Sequence, residues 1–191
     1  MKKILALTLA LMMMFALAAC GGGDAPPPGT DASAPSQDGE MQGYTGGEGA
    51  SLADVDEDNY AEVAQELFGI DVAAEDGWSV TKVESPNKVN NLTLAFAIPE
   101  DADGKALVKK YFDATLAIAE GGNFTQEVNW DTMSVSQGES YTDFDAFFAA
   151  EVTNIDDFFS AMWLYDFDGK SVQCSVSTET GTLELSLTLL G

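Results

Sequence analysis

Near its C-terminus the chain alternates without a break: Leu183, Leu185, Leu187 and Leu189 are interleaved with Thr182, Glu184, Ser186 and Thr188. A period of two with apolar residues on one parity is the mark of a strand that buries one face and wets the other. The segment before it repeats the pattern. Trp163–Phe167 reads as a strand, Asp168-Gly169 as a two-residue hairpin turn, and Ser171–Thr178 turns Val172, Cys174 and Val176 to one side. Three consecutive strands joined by short turns are antiparallel. Their shared apolar face requires a covering layer, which helices elsewhere in the chain must supply.

Two helices are legible. In Asn59–Phe68, Tyr60, Val63, Ala64 and Leu67 recur at helical spacing, with Gly69 at the stop position. The second opens at Asp101 or Asp103 and carries Leu107, Val108, Tyr111, Phe112, Leu116 and Ile118 as far as Ala119, before Gly121-Gly122. Between them, Trp78–Val83 and the alternating Leu92, Leu94, Phe96 and Ile98 flank a turn at Ser85-Pro86-Asn87-Lys88, which predicts a hairpin. Phe124–Gln137 reads as one strand whose change of parity implies a bulge near Asp131. Phe144, Phe148, Val152, Ile155, Phe159 and Met162 space like one helix face, which Asn154 and Asp156-Asp157 divide into two shorter helices. The expectation is an α+β domain: a single antiparallel sheet of about six strands, with two or three helices packed on one face.

Composition narrows the chemistry. The 191 residues hold 32 acids against eight basic residues, all of them Lys, for a net charge of −24. With neither His nor Arg present, His-based nucleophilic catalysis, His-ligated metals and bidentate Arg clamps are excluded. A field this negative also repels nucleic acid.

The N-terminus carries an address. Lys2 and Lys3 precede an apolar run from Ile4 to Ala16, then Leu17-Ala18-Ala19-Cys20 and Gly21-Gly22-Gly23. This is the build of a cleaved export signal, and the apolar run falls short of the ~20 residues of a spanning helix. Leu17-Ala18-Ala19-Cys20 resembles the lipobox of bacterial lipoproteins. That resemblance implies cleavage after residue 19 and lipidation of Cys20, hence a membrane anchor facing outside the cytoplasm. Two acyl chains suffice for stable anchoring. Residues 20–50 follow, with nine Gly and four Pro in 21–50, too poor in apolar surface to order themselves and so expected to form a flexible tether. The globular domain is expected over residues 51–191. Cleavage leaves six Lys against 32 acids and a single free thiol, Cys174, on the inward parity of its strand.

Four candidate chemistries remain. Asp54, Asp56, Asp58 and Glu62 occupy alternate positions of a calcium-type loop, although Asn59 and Gln65 stand where Gly and a bidentate Glu are needed; the same acids suit the start of a helix. Carboxylate pairs alone could run a hydrolase, but 27 acids in the domain make such pairs uninformative. Lys105, Lys109 and Lys110 concentrate basic charge on one helix, where Asp101, Asp103 and Asp113 can pair with them. Phe147-Phe148 and Phe158-Phe159 cannot both turn inward on a helix, so Phe148 and Phe158 are candidates for an exposed ligand or partner surface. The inventory favours a lipid-anchored binding module without a catalytic role, for an unknown protein or small-molecule ligand. A calcium-binding surface protein and a carboxylate hydrolase are the alternatives. No cofactor other than calcium is implied.

Overall fold

The computed structural model describes residues 50–129, 131–132 and 134–190. The signal segment (1–19), Cys20 and the tether lie outside the described residues, apart from Ala50. Ala50 is 3% exposed, so the packed region already includes the last residue expected in the tether.

The chain builds α1 (Tyr60–Phe68), β1 (Ser79–Glu84), β2 (Asn91–Ala97), α2 (Gly104–Ile118), β3 (Asn123–Asn129) and β4 (Ser134–Tyr141). It continues through α3 (Phe144–Glu151), β5 (Thr153–Ile155), β6 (Phe158–Phe167), β7 (Lys170–Glu179) and β8 (Thr182–Leu190). All strands join one antiparallel sheet in the order β1-β2-β8-β7-β6-β3-β4, with β5 added to β6. The α+β class and the single antiparallel sheet are as expected; the sheet has eight strands instead of about six.

The two extra strands have separate causes. The parity switch after Phe124 comes from a turn between β3 and β4, and the irregularity in that pair lies at Thr125, between Phe124 and Gln126, away from Asp131. Trp130 and Met133, which flank the turn, lie outside the described residues. Of the two shorter helices expected between Phe144 and Met162, only the first forms, as Phe144–Glu151, and the second is replaced by the start of β6. Asp156 and Asp157 adopt φ of 46° and 64°, closing a hairpin between β5 and β6. Asp tolerates the left-handed region well enough for such a turn.

The C-terminal strands behave as their pattern requires. Leu183, Leu185, Leu187 and Leu189 of β8 meet Val172, Cys174 and Val176 of β7 on the face that carries Leu92, Leu94 and Phe96 of β2, all of them buried. At β1 a bulge between Val80 and Lys82 lets Val80 and Val83, three residues apart, both join this face. The same bulge and Lys82 blunt an edge strand that would otherwise invite further pairing.

The helices cover that face. In α2, Leu107, Val108, Tyr111 and Phe112 are buried, and Asp103 caps its start by accepting from the Lys105 and Ala106 amides. Phe112 packs on Phe144, Phe147 and Trp163, with ring centres 4.7 to 5.7 Å apart. A buried polar knot pins α2 to β6: Trp163 Nε1 donates to Thr115 Oγ1 at 2.9 Å, and Thr115 Oγ1 reaches the Tyr111 and Phe112 carbonyls. For α1, Tyr165 Oη donates to the Phe68 carbonyl at 2.8 Å. Gly69 ends α1 with φ of 77°; a Cβ there would lie 2.7 Å from both Ile118 and Phe167, so the helix end packs closely.

Candidate functional site

The acids of the possible calcium loop form a turn ahead of α1. Asp56 Oδ1 accepts from the Asp58 and Asn59 amides, and Asn59 returns a contact to the Asp56 amide and donates to the Asp54 carbonyl. Asp54, Asp56, Asp58 and Glu62 are all exposed. Asn59 holds the N-cap position of α1 without a side-chain capping bond, so Asp56 organises the turn one step before the helix. Among the described residues, no group of three or more Asp, Glu or Cys side chains is arranged to hold a metal ion.

The helical lysines find other partners than those expected, with one exception. Lys109 pairs with Asp113, whereas Lys105 reaches Asp145 at 3.1 Å and Lys110 reaches Glu75 at 2.6 Å. Lys105 also stands 4.4 Å from the centre of the Phe148 ring. Phe148 is half-buried against the core and touches Phe144 and Phe159. Cys174 is fully buried; loss of solvation pushes its thiol well above the ordinary range and holds it protonated.

Phe158 is placed differently from any helix-based expectation. On β6 it shares a parity with Ser160, Met162 and Leu164, opposite Phe159, Ala161, Trp163 and Tyr165. It therefore belongs to the sheet face that the helices do not cover. Ile155, its partner across the β5–β6 hairpin, and Met162 are 54% and 41% exposed on this face. The centre of the face is uncharged. Asn91 and Thr93 of β2 meet Ser186 and Thr188 of β8, Ser175 and Gln173 of β7, then Met162 and Leu164 of β6. Asn91 donates to Ser186 and Thr188, and Gln173 donates to the Met162 sulfur.

At the β6–β7 end, a hollow opens on each side of the sheet. On the open face, Phe158 stands with Ala95, Ser177, Glu179 and Glu184 around a volume of about 310 Å³. On the helix side, Phe159 walls a second hollow of about 310 Å³, between the start of α2 and the end of β7. Glu100, Asp101, Asp103, Asp157 and Glu179 line it. Most of these residues carried no signal in the sequence, because their proximity depends on the β5–β6 hairpin. The adjacent Phe158 and Phe159 were the one readable trace, and they fall on opposite faces because the segment is a strand.

Comparison with known protein families, with curated sequences and with solved structures found no match for this chain. Among the described residues, no helix is long and apolar enough to cross a membrane.

Proposed function

We propose that the protein is a bacterial lipoprotein, anchored through lipid on Cys20 and facing outside the cytoplasm, that works as a non-catalytic binding module at the β6–β7 end of its sheet. The observation that carries the binding role is the pair of hollows, in which Phe158 and Phe159 present one aromatic wall to each side of the same strand end. Hollows of this size suit a small polar ligand or one side chain of a larger partner. The residue types support binding over chemistry. Around both hollows the functional groups are carboxylates, hydroxyls and aromatic rings, with no thiolate or imidazole to act as a nucleophile or a base near neutral pH. The Gly- and Pro-rich tether fits a domain held off the lipid surface, and its Gly-rich coil would span on the order of 30 Å.

Two measurements test this reading. Cys20→Ala is expected to move the protein from the membrane fraction to the soluble fraction; an unchanged distribution would contradict the anchor. For the binding role, a library of small polar compounds is screened by calorimetry against the wild type and against Phe158→Ala and Phe159→Ala variants. Binding that weakens in either variant, with melting retained, supports the site. Binders indifferent to both variants, or a library with no binders, would count against it.

A further inference from the structure

Strand pairing fixes which residues form the sheet face that the helices leave open. The Phe124–Leu164 pair puts Phe124, Gln126 and Val128 of β3 on the side of Met162 and Leu164, and the Val128–Val135 pair adds Val135 of β4. Gln137 agrees with this assignment, since its amide donates to Asp166 Oδ1, two residues beyond Leu164 on β6. Ile155 joins the face through its pairing with Phe158. Among the described residues three large apolar side chains are exposed, Val135 at 37%, Ile155 at 54% and Met162 at 41%, and all three lie on this one face. A single exposed apolar residue is ordinary, whereas exposed apolar residues gathered on one face mark a contact surface.

The polar residues between them narrow the partner. Asn91, Thr93, Gln173, Ser175, Ser186 and Thr188 carry amides and hydroxyls, which both donate and accept hydrogen bonds, so a surface built from them can pair with itself. The charged side chains of the face stand at its margins. Lys82 pairs with Glu84 on β1, Glu179 and Glu184 flank the β7–β8 turn, and Asp166 accepts from Ser171 and Gln137 near the β6–β7 turn. A partner recognised by charge finds no counter-charge at the centre, whereas a like copy can approach there with its carboxylates kept at the solvated rim. The size also fits. Strands β2, β8, β7, β6, β3 and β4, about 4.8 Å apart and about seven residues long at about 3.3 Å each, give roughly 650 Å², close to the ~800 Å² per partner of a standard stable interface.

We propose that two copies of this chain pack face to face through this surface, as an isologous dimer centred near Met162 and Gln173, with the two sheets about 10 Å apart. The dimer goes beyond the ligand reading and does not depend on it. The Phe158 hollow lies at the margin of the contact, and the helix-side hollow lies on the other side of the sheet.

Sedimentation equilibrium of the full-length chain in density-matched detergent tests the proposal. The expected result is a monomer–dimer equilibrium that tightens as salt rises, because salt screens the repulsion between two acidic chains and leaves apolar contact intact. Met162→Lys should weaken dimerisation about tenfold or more with melting retained, although it reduces the net negative charge, because it buries an unpaired ammonium in the interface. Ile155→Lys should act in the same direction. Asp58→Asn makes the same charge change in the turn before α1 and should leave the dimer intact. A monomer at every salt concentration, a dimer that dissociates as salt rises, or a dimer indifferent to both lysine variants would overturn the proposal. Should the chain be monomeric, peroxide oxidation of Met162 reads what covers the face. Protection would assign it to the chain's own residues 20–49 and ready oxidation would leave it open, and either result removes the second copy.

Discussion

Replacing Thr115 with Val removes the centre of the polar knot between α2 and β6 while keeping the side-chain volume. Thr115 and Trp163 are both 0% exposed, so no water reaches the indole N–H once its acceptor is gone. The indole donates to Thr115 Oγ1 at 2.9 Å, and the nearby Phe112 carbonyl is already taken by Asn123 Nδ2 at 2.9 Å. An unsatisfied buried donor costs about 1–3 kcal/mol, and the difference in helix propensity between Thr and Val is small by comparison. Taking about 2 kcal/mol, and an unfolding entropy of about 0.3 kcal/mol/K for a domain of this size, the melting temperature falls by roughly 7 °C. Calorimetric melting of Thr115→Val in the wild-type and Trp163→Phe backgrounds isolates the bond. With the indole removed, the same substitution should cost about 1 kcal/mol less. A fall below about 2 °C in the wild-type background, or equal falls in both backgrounds, would refute the reasoning.

Other outcomes follow from the same geometry. Asp103→Ala strips the cap from α2 and should cost about 1 kcal/mol, measured by urea unfolding. Gly104→Ala drives a methyl into Phe159 and Thr178 and is expected to destabilise by about 1–3 kcal/mol, read from the same transition. Burial raises the Cys174, Tyr111 and Tyr165 pKa values, so these groups stay protonated in the native state while the unfolded chain ionises. Their contribution is complete below the ordinary thiol value of 9.0 and is lost as pH rises beyond it, so melting temperature should fall on the alkaline side. The native thiol should also resist alkylation at pH 8 and react once urea unfolds the chain. Millimolar calcium should leave the melting temperature unchanged, since the Asp56 carboxylate is engaged with the backbone of its own turn.

The parts of the fold that could be read in the sequence are those in which one period dominates. The leucines of β8 alternate without interruption, and α2 carries a broad stripe between a capping acid and a glycine pair, so both emerge nearly as expected. Residues 144–162 mislead because their aromatics satisfy two periods at once. Phe148, Val152, Ile155 and Phe159 fit a helix, yet Phe159, Ala161, Trp163 and Tyr165 alternate as a strand, and the strand prevails because β7 pairs with it along its length. Asp156-Asp157 marked the break correctly but closes a hairpin, not a gap between helices. The acidic hollow was beyond any local pattern. Asp101, Asp157 and Glu179 are far apart in sequence and line one hollow only because the end of β2, the start of β6 and the end of β7 lie at the same end of the sheet.

The central claim is that ligand contact occurs at the β6–β7 end of the sheet. A residue-resolved amide spectrum of the full-length chain, recorded as a bound compound is titrated in, tests it most directly. The account predicts shifts gathered at Gly104, Asp157, Phe158, Phe159, Ser177 and Glu179, with the Asp54–Glu62 turn unmoved. Shifts centred on that turn, or scattered evenly over the acidic surface, would contradict it.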